Sequence, residues 1–190
     1  MPDQDLFYLL ALLKVDGVGD IMAKKLLNYF GSAEAVFKSK GSQMAAIDGV
    51  GSVLLKNFKD KSVFEKANQE MEFMKSSGVK VSFFKEDGYP ERLKHCIDSP
   101  VLIFSSGNIN LANKRIISIV GTRQITSYGT EFCRNLIEEL APLDPVIVSG
   151  FAYGVDIVAH QRAMDFNLQT IGVLAHGLNQ IYPKSHKKFI

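Results

Sequence analysis

Leu6, Leu9, Leu10 and Leu13 open the chain at helical spacing, the recurrence expected of a helix with one apolar face. A second helix is predicted after Asp20, a candidate N-cap, with Ile21, Leu26, Leu27 and Phe30 as its apolar positions. Gly31 ends it. Shorter helices are predicted over 33–38, 43–46 and 51–58, and a longer one over 61–76 that Gly78 closes. From Val79 the pattern changes. Val79, Val81, Phe83 and Phe84 predict a strand, and short apolar runs follow at 101–104, 115–120, 146–148 and 170–174. Helical stretches over 126–141 and 154–166 separate the later runs. Apolar strands alternating with helices predict βαβ units around a parallel sheet buried on both faces.

The change in pattern near Ser76-Ser77-Gly78 predicts two domains, a helical one over 1–76 and an α/β one over 77–190. The helical half contains an approximate repeat. Val15-Asp-Gly-Val-Gly19 is echoed by Ile47-Asp-Gly-Val-Gly51, each following one helix and preceding another. Such pairs resemble the helix-hairpin-helix motif. Their glycines permit positive φ and expose backbone N–H groups at a helix start, where a phosphate can be held. The same glycines also serve simply as tight helix connections.

Composition adds constraints. With 46% hydrophobic and 22% charged residues in 190, a core forms without disulfides or metal. The two cysteines, Cys96 and Cys133, lie far apart without metal-ligand spacing, as in a reducing compartment. No apolar run approaches the length of a membrane span, and the start, Met1-Pro-Asp-Gln-Asp5, is acidic where a secretory signal is basic. The expectation is a cytoplasmic protein with no membrane partner. Net charge is only +2, so a nucleic-acid site must be a local patch. Residues 1–75 carry ten basic and ten acidic side chains, residues 76–190 twelve and ten, and the end of the chain holds Lys184, His186, Lys187 and Lys188 with no acid.

In open α/β sheets, ligands bind where strand C-termini meet helix N-termini. Two junctions stand out. Ser118-Ile-Val-Gly-Thr-Arg-Gln124 leads to Ser127-Tyr-Gly129 and a helix, and Val148-Ser-Gly-Phe-Ala-Tyr-Gly-Val-Asp156 leads to Ala159-His160. Both set small residues and free amides at the sheet edge, an anion-binding arrangement. Neither is a dinucleotide glycine fingerprint or a P-loop, and Ser149 lacks the context of a hydrolase nucleophile. No catalytic residues, metal ligands or cofactors are assigned. Asp156 and His160, four apart on a helix, are read as a helix cap and a satisfied packing residue. Phe151 is read as core filling and Tyr153 as a base-stacking side chain.

Ile119-Val-Gly-Thr-Arg123, Ser127-Tyr-Gly129, Ser149-Gly-Phe-Ala-Tyr-Gly-Val-Asp156, Ala159-His160, the 170–178 segment and Tyr182-Pro-Lys-Ser-His186 occur in this order. Together with Tyr89-Pro90, Asp98, Pro100 and Gly107 upstream, they resemble the DprA/Smf family over essentially the whole chain. The resemblance implies a SAM-like, helix-hairpin-helix front followed by an extended Rossmann-like sheet. It implies a binder of incoming single-stranded DNA that protects it and loads a RecA-type recombinase in natural transformation, with no chemical step. On this chain it assigns DNA contact to Arg123 and Lys184, with Gly121, Thr122, Ser149, Gly150 and Tyr153 in the surrounding turns. A full family domain continues beyond the Tyr-Pro segment. The expectation is therefore an α/β domain incomplete at its C-terminus, and a homodimer whose interface lies partly beyond residue 190. The rival reading is a nucleotide-binding enzyme of the phosphoribohydrolase type, whose glycine-rich, glutamate-bearing loop is not found here.

Overall fold

The computed structural model describes residues 1–112 and 114–189. The chain forms two compact units, Met1–Ser105 and Ser106–Ile190. The break in sequence character near Gly78 falls inside the first unit, between its last long helix and its first strand.

In the first unit, α1 (Asp3–Leu13), α2 (Asp20–Phe30), α3 (Ala33–Lys38), α4 (Gly41–Met44), α5 (Ser52–Asn57) and α6 (Ser62–Ser77) follow in order. Leu9, Leu10, Ala11 and Leu12 of α1 are all buried, so this helix is covered on nearly every side. It packs against α2, α3 and α6. Phe7, Tyr8, Phe37 and Phe64 add edge-on and stacked ring contacts around it.

The two repeats form equivalent turns. Val18 N donates to Val15 O and Val50 N to Ile47 O, both at 3.0 Å. Gly17 and Gly49 hold φ of 85° and 90°. A Cβ on Gly17 would meet Leu54 of α5, and a Cβ on Gly49 would meet Met22 of α2. Leu54 and Met22 each lie three residues into the helix after their own repeat. Each hairpin therefore presses a side chain onto the other's glycine, a reciprocal packing that uses the glycines as structure. Asp20 is the first residue of α2 and Gly19 its N-cap; the Asp20 carboxylate instead accepts the Val101 amide at 2.7 Å.

The first two strands depart from expectation. β1 (Lys80–Phe83) and β2 (Leu102–Ser105) pair antiparallel with each other, apart from the parallel sheet. Only the single-turn α7 (Glu91–Lys94) lies between them, too little for the helical crossover that parallel neighbours require.

In the second unit, β3 (Ile116–Ser118), β4 (Val146–Ser149) and β5 (Thr170–Gly172) form a parallel sheet in that order. The connections are α8 (Ser127–Leu140) and α9 (Val155–Asp165). Ile119, Cys133, Ile137, Ile147, Ala159, Ala163 and Leu168 make its core. Burial pushes the Cys133 thiol pKa up, which keeps it protonated and inert. Thr126 caps α8 by accepting the Gly129 amide at 3.1 Å. Parallel order sends the C-terminal ends of all three strands to one side of the sheet.

Candidate nucleic-acid interface

The two junctions singled out from sequence are packed onto each other. The turn after β3 carries Gly121, Thr122 and Arg123, all exposed. Val155 N, at the start of α9, donates to Thr122 O at 3.1 Å. A Cβ on Gly121 would collide with the Val155 side chain. Gly154, the N-cap of α9, has φ 79° and ψ −125°, a region essentially reserved for glycine. A Cβ there would run into the Thr122 carbonyl and lie 2.7–2.8 Å from backbone atoms of Arg123. Two missing side chains thus let the Thr122-Arg123 backbone rest on the first turn of α9.

Ser149, at the end of β4, is buried and its hydroxyl donates to Ile119 O at 2.6 Å. Its own carbonyl accepts the Val173 amide at 2.8 Å. Ser149 therefore fixes the strand ends rather than presenting a free hydroxyl. Gly150 is exposed, and a Cβ on it would meet Asp156 Oδ2 at 2.8 Å. That same oxygen accepts the Ala152 amide at 3.2 Å. Asp156 thus closes the turn before α9, as a capping residue does, while its Oδ1 is buried without a partner.

Phe151 lies in the left-handed region with φ 63°, where a bulky side chain costs roughly 1–3 kcal/mol. Its surroundings hold it there. The ring is buried beside the imidazoles of His160 and His186, with centroids 5.6 and 5.3 Å away. The Phe151 carbonyl accepts His186 Nδ1–H at 3.0 Å. Tyr153 is 47% exposed, and its hydroxyl accepts Ser185 Oγ–H at 3.3 Å. The segment bearing Lys184 is therefore bonded to the 151–153 turn, which in turn adjoins the Thr122-Arg123 backbone. Sequence reasoning placed His186 in the basic end and in the Tyr-Pro motif but gave it no role, although its bond to the Phe151 carbonyl joins the 184–189 segment to the turn after β4.

His160 is only half satisfied. The Thr170 hydroxyl donates to Ile147 O at 3.1 Å, so its oxygen accepts from His160 Nδ1–H at 2.6 Å. Nε2 is then the unprotonated nitrogen, and it is buried without a hydrogen-bond partner among the described residues. Burial lowers the His160 pKa, opposed by the Asp156 charge, so the ring is neutral near pH 7.

At the opposite end of the sheet, where the strands begin and α8 and α9 end, Lys114 pairs with Asp144, and Arg162 with Glu138. Neither Arg123 nor Lys184 forms an ion pair among the described residues, and both are exposed. Among the described residues no three metal-binding side chains cluster, and no helix is long and apolar enough to cross a membrane.

A parallel sheet with helical crossovers and glycine-built turns beyond its strand ends defines a Rossmann-like α/β protein. The family model for DNA recombination-mediator protein A matches residues 80–190, and the chain belongs to that family. DNA processing protein DprA of Bacillus subtilis is 32% identical over 145 residues, covering 76% of this chain and 48% of that protein. Protein Smf of Synechocystis is 27% identical over 196 residues, covering 99% and 48%. The chain thus spans about half the length of these curated relatives. The X-ray structure of DprA from Streptococcus pneumoniae superposes with a TM-score of 0.65 at 26% identity, over 96% of this chain and 62% of that one. The similarity extends over the helical front as well as the sheet, in agreement with the expected fold class.

Proposed function

We propose that this chain binds single-stranded DNA without sequence preference, through the loops at the C-terminal edge of β3–β5. The observation that carries this reading is Arg123, an exposed guanidinium without an acidic partner among the described residues, held on a backbone turn that two glycines lock against α9. A planar fork at a fixed position suits a phosphate oxygen pair. Lys184 supplies a second, point-like charge from a segment bonded to the adjacent turn. Gly121, Thr122 and Gly150 leave backbone open to an approaching phosphate, Ser149 holds the strand ends in register, and Tyr153 offers a ring to a base. A site built from loop turns reads no major groove, which favours single strands over duplex.

The relatives' names place them in DNA processing and recombination mediation. By extension, the role proposed here is to shield a single strand and hand it to a RecA-type recombinase during transformation, without catalysis. Titration of labelled oligo-dT and matched duplex at several salt concentrations tests the binding. Two or three phosphate contacts give a slope of log affinity against log salt of roughly −1.4 to −2. Equal affinity for the two nucleic acids, or a flat salt response, refutes the proposal.

A further inference from the structure

Tyr128 and Phe132 lie one helical turn apart on α8 and are 77% and 57% exposed. Their rings stack on each other, with centroids 6.4 Å apart and planes 30° from parallel. The helix buries a different stripe, through Cys133 and Ile137, so the aromatic pair contributes nothing to the core. Two adjacent exposed rings at the start of a helix form a small apolar patch.

The size and setting of the patch select an occupant. Two rings offer at most about 150–250 Å² each, well short of the roughly 800 Å² that a stable protein interface covers per partner. The neighbouring exposed positions Glu131, Asn135 and Glu139 are polar or charged and Leu136 is half-buried, so the patch ends after about one turn. Residues 114–130 contain Lys114, Arg115 and Arg123 and no acid. Lys114 is paired with Asp144, and Arg115 donates to Leu143 O at 3.4 Å. Arg123, five residues before Tyr128, is the cation of this stretch that has no protein partner among the described residues. An anionic polymer that also carries flat apolar faces complements this arrangement, and a nucleobase stacks on an aromatic ring whatever its identity.

We infer that Tyr128 and Phe132 form a stacking platform for bases of a single strand whose backbone is held at Arg123. The inference rests on the proposed role of Arg123 and adds a base-stacking surface on α8.

The chain contains no tryptophan, so Tyr128→Trp places a lone indole reporter on the platform. The experiment titrates the whole chain and its Tyr128→Trp variant with oligo-dT and with an abasic strand of equal length. The expected result is indole quenching by oligo-dT but not by the abasic strand, and tighter binding of oligo-dT by about tenfold. The double variant Tyr128→Ala, Phe132→Ala should lose that preference and keep its affinity for the abasic strand. Both side chains are exposed, so an unchanged melting temperature is expected, and Tyr128→Phe should retain the preference. Equal binding of the two strands by the unaltered chain, or a double variant that prefers oligo-dT as before, overturns the platform and leaves the phosphate site intact. Failure to bind either strand overturns both. Equal loss for both strands in the double variant with an intact fold also overturns the platform, because the loss would then lie in backbone contact.

Discussion

Gly154→Ala tests whether the Arg123 turn is held in place by α9. The residue has φ 79° and ψ −125°, a region less open to a side chain than the left-handed helical one, so alanine there carries a backbone penalty of at least about 1–2 kcal/mol. The added Cβ also points into the Thr122 carbonyl and the Arg123 backbone, neither of which is the yielding end of a side chain. Relief requires separating the two turns, which breaks the 3.1 Å bond from Val155 N to Thr122 O. That adds about 1 kcal/mol, for a total of at least about 2–3 kcal/mol. Gly107 supplies the control within the same unit. Its φ is 91°, but a Cβ there meets nothing within 4 Å, so Gly107→Ala should carry the backbone penalty alone. Amide exchange of Ile147 in a urea series reports the stability of this unit, because that amide donates to Gln169 O across the β4–β5 pair. Gly154→Ala should also lower oligo-dT affinity toward that of Arg123→Ala, whereas Gly107→Ala should not. If the two glycine variants lose equal stability and both bind as the unaltered chain does, the turn does not depend on α9 and the reasoning fails.

Three further outcomes follow from the same geometry. Arg123→Ala should weaken oligo-dT binding by roughly tenfold to a hundredfold, the scale of one charge-assisted contact, and Arg123→Lys should recover only part, since the planar fork is lost; Lys184→Ala should cost less because Lys187 and Lys188 lie nearby in sequence, and an unaltered affinity in the Arg123→Ala, Lys184→Ala double variant refutes the site. His160 has a pKa lowered by burial, so the stability it favours is fully present above the unfolded value of about 6.5 and is lost as pH falls below that toward the lowered folded value; His160→Asn, which keeps a donor for Thr170, should flatten the fall measured by urea unfolding between pH 7 and 5.5, and a parallel curve would refute the assignment. Ile137→Ala, at a fully buried position of α8, should destabilise the second unit by about 2–5 kcal/mol in urea unfolding, and a loss well below this range would show that the site collapses around the missing atoms.

Much of the fold was legible because local and tertiary preferences agreed. The 33–38 helix has the predicted bounds, helped by Ser32, whose hydroxyl accepts the Ala35 amide, and Gly31 and Gly78 end their helices at φ 85° and 68°. The misreadings lie where tertiary structure overrides a local signal. Asp20 looks like an N-cap, since aspartate suits that position, but its carboxylate serves Val101 from 81 residues away. Val101-Leu-Ile-Phe104 has the apolar run of a buried parallel strand, yet β2 joins β1 antiparallel. Periodicity reports which residues are apolar, not which neighbour a strand will choose. The single turn of α7 follows Pro90 and buries none of its own residues, so it leaves no hydrophobic pattern to read.

The site was legible in its parts and not in its assembly. Small residues after two strands marked the turns, and the basic positions 123 and 184 were visible as letters. The bond from His186 to the Phe151 carbonyl was not visible, nor was the positive φ of Phe151. Local rules argue against phenylalanine in that conformation, so sequence reading assigns it to ordinary core. Its strain is tolerated because two other segments, α9 and 184–189, close on this one residue: the ring fills space beside His160 and His186, and the carbonyl is held from the 184–189 segment. Ser149, Gly150, Phe151 and Gly154 therefore act mainly as joints. They give up hydroxyls, side-chain volume and backbone freedom so that Arg123 and Lys184, which have no acidic partner among the described residues, are carried on connected loops. A basic side chain on a free loop gains little from one phosphate, because ordering the loop offsets the contact. Rigid joints remove that cost before the ligand arrives. This is why the joints, and not the charges alone, are the part of the sequence on which the proposed binding depends.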